Sequence, residues 1–191
     1  MSFRVLHVCT GNICRSPMAE HLMRAGLQQR LGGGAAAFEV ASAGTMGFAG
    51  EPMQPYAGST LASYDVDGSA FRARELLAEH VAGADLVLTA ARAHRAAVVV
   101  LQPRAAARTF ALREFARLTS VVEPASLPRG DAEERARALV RAAAGNRGLV
   151  PPASPADDDL EDPYQVREPA FIACAALVQR ALQGPLDLLV G

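Results

Sequence analysis

The chain has 191 residues, half of them hydrophobic, and a formal net charge of -1. That length and composition suit one domain, 1–191, with a sizeable core, and argue against wholesale disorder. Such a charge balance gives no footing for a sequence-independent grip on nucleic acid or on an acidic membrane, so neither is expected as a partner.

In chain order, Phe3 to Val8 is a short apolar run with strand character that ends at Cys9 in a turn containing Gly11 and Asn12. Met18 to Leu31 follows, with Leu22, Ala25, Leu27 and Leu31 near helical spacing. Pro17 suits the first turn of that helix, where its missing donor costs nothing. Phe38 to Ala41 reads as a second strand running into Ser42-Ala43-Gly44-Thr45, and Met46 to Pro55 reads as an exposed loop. Arg72 to Ala82 is expected to be helical, Asp85 to Thr89 a buried strand, and Ala90 to Leu101 another helix. Thr109 to Leu112 is a candidate fourth strand, with a helical piece near Glu114 to Leu118.

From Thr119 to about Asp159 the composition shifts. Five prolines (Pro124, Pro128, Pro151, Pro152, Pro155) flank one helical stretch, Asp131 to Ala144, and the segment closes on Asp157-Asp158-Asp159. It reads as an insertion or mobile excursion, 119–160, within the single domain. Pro169 to Leu189 returns to an apolar helix that should pack on the sheet. Strands alternating with helices imply an α/β fold: a parallel sheet covered by helices on both faces.

Three cysteines (Cys9, Cys14, Cys174) make a poor disulfide framework, and the four histidines lack metal-ligand spacing. The N-terminus lacks the continuous apolar core of a signal peptide, and no window approaches a membrane span. A reduced, cytoplasmic setting is the expectation, and it suits a free reactive thiol.

The informative segment is Cys9-Thr10-Gly11-Asn12-Ile13-Cys14-Arg15-Ser16. It places a thiol and a guanidinium six positions apart in a loop between a strand and a helix. Such a loop can curl until successive backbone N–H groups point inward and form a concave anion site. The positive end of the following helix adds to the same point. Arg15 can hold two phosphoryl oxygens with its planar fork. The field that binds a dianion also favours a thiolate at Cys9, which could attack phosphorus to give a phosphocysteine. Thr10, Gly11, Asn12, Ile13, Cys14 and Ser16 would line the phosphate site, Ser16 donating its hydroxyl to the thiolate and Asn12 tolerating left-handed backbone angles. Taken singly, each feature has an ordinary reading: a buried thiol, a solvated arginine, a Gly-Asn turn. Their coincidence on one frame is what is specific.

The run Val8 to Glu20, VCTGNICRSPMAE, resembles the signature of the low-molecular-weight protein tyrosine phosphatases. Weaker matches continue through Ser42 to Thr45, Arg74-Glu75-Leu76, Asp85 to Thr89 and Asp162-Pro163-Tyr164. The resemblance implies a flavodoxin-like sheet of four parallel strands and no metal or organic cofactor. It also implies hydrolysis of a phosphotyrosine protein or a small aryl phosphate. By the same resemblance Asp162 would be the general acid, Tyr164 one wall of the cleft and Phe48 another. The acidic residues Asp157, Asp158, Asp159 and Glu161 compete for the acid's role, and Met46, Met53 and Tyr56 are further wall candidates. Two positions depart from the family's habit: Phe71, about where many relatives have His, and Gln165, where Gly is frequent.

Three rival readings remain. An arsenate reductase with a thiol relay needs two further cysteines near the end of the third strand, and Thr89 to His94 offers none. A phosphoarginine phosphatase resembles this chain but carries Thr where Ile13 stands. A catalytically idle phosphate-binding module would be marked by loss of Cys9, Arg15 or the acid, and all three are present. Oxidation could also join Cys9 to Cys14 reversibly and shield the nucleophile.

Overall fold

The structure is a computed structural model that describes residues 2–152 and 154–190; Ala153, within the 119–160 segment, lies outside the described residues. Strands β1 (Phe3–Cys9), β2 (Phe38–Gly44), β3 (Leu86–Thr89) and β4 (Thr109–Ala111) form one sheet in the order β2-β1-β3-β4. All three pairings are parallel. The α/β, flavodoxin-like expectation is met.

Alternation along β1 divides its side chains between two layers. Phe3, Val5 and Cys9 join the larger core, with Met18, Leu22 and Leu27 of α1 (Arg15–Leu31) and Phe171, Val178 and Leu182 of α7 (Glu168–Asp187). Leu6 and Val8 join the smaller core on the other face, with Val81 of α3 (Ala78–Ala82) and Val98 of α4 (Arg92–Leu101). The same period of two therefore delivers Cys9 to the face of the sheet that carries α1. β1 is central, the chain crosses to β2 on one side and to β3 on the other, and the loop after β1 opens at that reversal. Ligands of open α/β sheets bind beyond the carboxyl ends of the strands at such a point.

The first helix begins at Arg15, three residues before the expected start, with Pro17 in its first turn. One expected helix is mostly absent: of Arg72 to Ala82 only Ala78–Ala82 is helical. Arg74 to Leu76 instead runs extended beside the end of β2, with Gly44 N donating to Arg74 O and Leu76 N to Gly44 O. These edge bonds outcompete helical propensity. Conversely, a helix that the sequence pattern concealed forms at Pro55–Ala62 (α2), with Pro55 at its start and Ala57 and Leu61 buried four residues apart. The loop before it is not wholly exposed, since Met53 is buried.

Helix α5 spans Leu112–Thr119 and α6 Ala132–Gly145, the latter capped by Asp131 accepting from Glu133 N. Ala136, Leu139, Val140 and Ala143 of α6 are buried in the main core. Arg135, itself buried, donates to Pro128 O and Leu188 O and ties the start of α6 to the end of α7. No described helix is long and apolar enough to cross a membrane.

Candidate active site

The segment after β2 acts as a strap on the loop after β1. Thr45, Met46, Phe48 and Gln54 donate backbone N–H groups to the carbonyls of Cys9, Thr10, Gly11 and Ile13, at 2.9 to 3.1 Å. With these carbonyls engaged by the strap, the amides of Gly11 to Cys14 donate to no protein acceptor among the described residues, which leaves them free for an anion. Gly44 permits the approach: a Cβ there would lie 2.4 Å from Thr10 O.

Asn12 holds the loop's shape from a left-handed backbone position, φ 57°. Its amide donates to Ser16 Oγ at 2.9 Å and Ser42 Oγ at 2.8 Å, and its Oδ1 accepts from Arg74 N at 2.9 Å. Ser42 Oγ donates to Glu20 Oε2 at 2.6 Å, and Glu20 pairs with Arg24. The chain of bonds thus runs from the helix surface to Ser16 Oγ, which lies 3.0 Å from Cys9 Sγ. Every buried polar group along it has a partner, the condition for such a network to rigidify a site. Arg74, Ser42 and Glu20 were not singled out from the sequence for this role. Their contacts join residues 22 to 62 positions apart, which no local pattern encodes.

Arg15 is buried at the base of the loop. Its Nη2 donates to Asp162 Oδ2 at 2.5 Å and approaches Thr10 Oγ1 at 3.4 Å, while Nη1 reaches Leu160 O at 3.4 Å. Its Nε has no protein partner among the described residues. A buried guanidinium with an unused N–H, beside free amides and a helix N-terminus, is a site built for an oxyanion.

The acidic run is sorted by its partners. Asp158 is buried against Arg117, Asp159 is held by the side chain and backbone N–H of Arg92, and Asp157 caps Ser154 N. Leu160 is buried and its N–H donates to Ala90 O, at the end of the third strand. Glu161 is exposed, and Asp162 is the carboxylate that faces Arg15. Its other oxygen accepts from Tyr164 N at 3.2 Å, a local turn that fixes the carboxyl's direction. Gln165 follows at φ 62°, a left-handed backbone state that favours glycine.

Phe48 and Tyr164 come together across the cleft, ring centroids 6.5 Å apart and tilted by 35°, both partly exposed. Phe48 lies on the loop itself, since a Cβ on Gly11 would come within 2.7 Å of its ring. Tyr56 packs on Phe171, Met53 is buried and Met46 is exposed. Phe71 meets His21 edge-on at 6.0 Å.

All three cysteines are free and buried. The thiols of Cys14 and Cys174 are each pushed up to about 12, chiefly by burial, with the charge at Cys9 a further cause. Neither is disposed to act as a nucleophile beside Cys9. Among the described residues no cluster of His, Cys, Asp or Glu could hold a metal ion.

The family model of the low molecular weight phosphotyrosine protein phosphatases matches residues 4–145. The chain belongs to this family. A low molecular weight protein-tyrosine-phosphatase of Streptomyces coelicolor is 32% identical over 97% of this chain and 93% of its own length, so the likeness spans the 119–160 segment as well. A protein-arginine-phosphatase of Geobacillus stearothermophilus is 36% identical over 60% of this chain and 72% of its own. Among solved structures, a low molecular weight protein tyrosine phosphatase from T. tengcongensis is 30% identical. It covers 97% of this chain and 99% of its own, with a TM-score of 0.70.

Proposed function

We propose that the chain hydrolyses phosphotyrosine or small aryl phosphate monoesters through a phosphocysteine on Cys9. The observation that carries the reading is the position of Cys9 Sγ, 3.0 Å from Ser16 Oγ, beneath free loop amides and the Arg15 guanidinium. The dianion's non-bridging oxygens would be held by the amides of Gly11 to Cys14 and by Arg15. Cys9 forms the S–P bond as the ester O–P bond breaks, and Asp162 gives its proton to the departing oxygen. Water then attacks phosphorus with Asp162 as base. Ser16 stabilises the thiolate that leaves. Electrostatic positioning supplies most of the acceleration in phosphoryl transfer of this kind.

An aryl group leaving the loop meets the Phe48–Tyr164 pair, which supports aryl esters over alkyl ones. The similarity to a protein-arginine-phosphatase keeps phosphoarginine as the second reading; the apolar Ile13 in the loop weighs toward phosphotyrosine. An arsenate relay is disfavoured by the buried, unreactive state of Cys14 and Cys174.

The test is hydrolysis of an aryl phosphate under reducing, metal-free conditions, with the native chain beside Cys9→Ser. Turnover abolished in the variant is expected. Turnover retained by Cys9→Ser would overturn the phosphocysteine route. Phosphotyrosine and phosphoarginine peptides, offered in parallel, separate the two substrate readings.

A further inference from the structure

His94 stands in the first turn of α4, with only 8% of its surface exposed. Its Nε2 lies 2.8 Å from Thr10 Oγ1, in the loop that carries Cys9. Its other ring nitrogen, Nδ1, is buried and has no partner among the described residues. Arg15 Nη2 approaches the same Thr10 oxygen at 3.4 Å, and that nitrogen also carries Asp162. Thr10 Oγ1 therefore lies between an imidazole and the outward end of the guanidinium.

These contacts decide where the protons sit. Burial, and after it the charge of Arg15, push His94 down to about 4, so at neutral pH the ring has one N–H to place. Were Thr10 to donate to Nε2, the ring proton would be on Nδ1, a buried N–H with no acceptor, which is the costlier vacancy. With the proton on Nε2, only a lone pair at Nδ1 goes unused. His94 then donates to Thr10 Oγ1, and Arg15 donates to the same oxygen. A hydroxyl has two lone pairs and one proton. Both lone pairs are taken, and the proton is left for a third group.

We propose that His94 is a positioning residue of the phosphoryl site. By donating to Thr10 Oγ1, it turns the Thr10 hydroxyl into a donor to the anion that Arg15 holds. The proposal rests on the loop being a phosphoryl site. It concerns a non-bridging oxygen, so its loss should be felt whatever the leaving group.

The experiment compares His94→Phe, His94→Gln, Thr10→Val and the His94→Phe/Thr10→Val double variant. It reads inorganic phosphate binding by calorimetry and kcat/KM for a good and a poor aryl leaving group. Removing one preorganised donor to an oxyanion costs about 10²–10³ in rate, and a donor that is only misdirected should cost less, about ten-fold. His94→Phe is expected to weaken phosphate binding and to lower kcat/KM for both substrates by about ten-fold, and Thr10→Val, which removes the donor itself, by more, up to about 10²–10³. The double variant should be no worse than Thr10→Val alone. His94→Gln, whose side-chain N–H reaches the same point, should recover most of the loss.

Additive losses in the double variant would overturn the proposal, as would a Gln variant as impaired as Phe. So would unchanged phosphate affinity in Thr10→Val, a variant that leaves His94 in place and keeps the test informative if His94→Phe does not fold. Phosphate binding requires no turnover. A chain that binds phosphate in this His94-dependent way but cleaves no ester would therefore overturn the phosphatase reading and leave this one standing.

Discussion

Asp162 and a phosphoryl dianion compete for the same nitrogen. Asp162 Oδ2 is 2.5 Å from Arg15 Nη2, and an anion seated in the loop needs that N–H. Asp162→Ala should therefore act in opposite directions on binding and on turnover. Inorganic phosphate should bind roughly two- to five-fold more tightly, the worth of an ion pair half open to water. Turnover of an aryl ester with a poor leaving group should fall by about 10²–10³, and that of a good one only several-fold, because the acid matters most where the leaving oxygen is most basic. Calorimetry with phosphate and initial rates over a leaving-group series measure both; equal loss across the series would assign the acid elsewhere. At this scale the sequence was most informative where chemistry is contiguous. Cys9, Arg15 and the Gly11-Asn12 turn lie within seven residues, and their types alone demand an anion. His94, 84 positions from Thr10, was opaque, because its role is conferred by a partner brought near by the sheet.

Two connecting segments position the chemistry. The strap after β2 satisfies the loop's carbonyls and leaves the amides of Gly11 to Cys14 without a protein acceptor among the described residues. The stretch 154–162 is pinned at Asp158 to Arg117, at Asp159 to Arg92 and through Leu160 to the end of the third strand, and these pins place Asp162 over Arg15. Loosening one pin should impair the acid without touching the anion site. Asp159→Asn is expected to lower kcat/KM about three- to ten-fold for a poor leaving group, a fraction of the acid's full worth. Phosphate affinity and the rate with a good leaving group should stay within about two-fold, since no contact to the phosphoryl site is lost. Parallel loss of phosphate affinity would mean that the segment shapes the anion site itself. The acidic run could be read from the sequence, but the division of labour within it could not, since it depends on which arginines of α4 and α5 face which carboxylate. The extended Arg74 to Leu76 was concealed for a related reason. Its side chains favour a helix locally, and only the edge of β2 and the amide of Asn12 make the extended form better.

The sheet order sets the whole molecule's behaviour, because a central β1 flanked by parallel neighbours is buried on both faces. His7 is carried into that interior with the apolar residues beside it, and its Nε2 lies 3.3 Å from Met23 Sδ. Burial, and secondarily Arg24, push His7 down to about 3, just as burial and Arg15 push His94 down to about 4. The unfolded chain protonates both near 6.5, so between that value and about 4 it binds more protons than the folded one. Stability is then fully present above about pH 6.5 and lost as pH falls through this window. At pH 5.5 each histidine costs about 1.4 kcal/mol, together about 3 kcal/mol relative to pH 7.5. His21 and His80, also held below the ordinary value mainly by burial, add in the same direction. The carboxylates held low, Glu39, Asp67 and Asp159, contribute only further down, below about pH 4.5. Urea unfolding at the two pH values measures the loss directly. His7→Leu keeps an apolar side chain against Met23 and removes one titrating group, so its loss over the same interval should be smaller by about 1.4 kcal/mol. An undiminished pH dependence in that variant would mean that His7 is not buried as the neutral ring, and with it that β1 does not carry position 7 into the α1 layer.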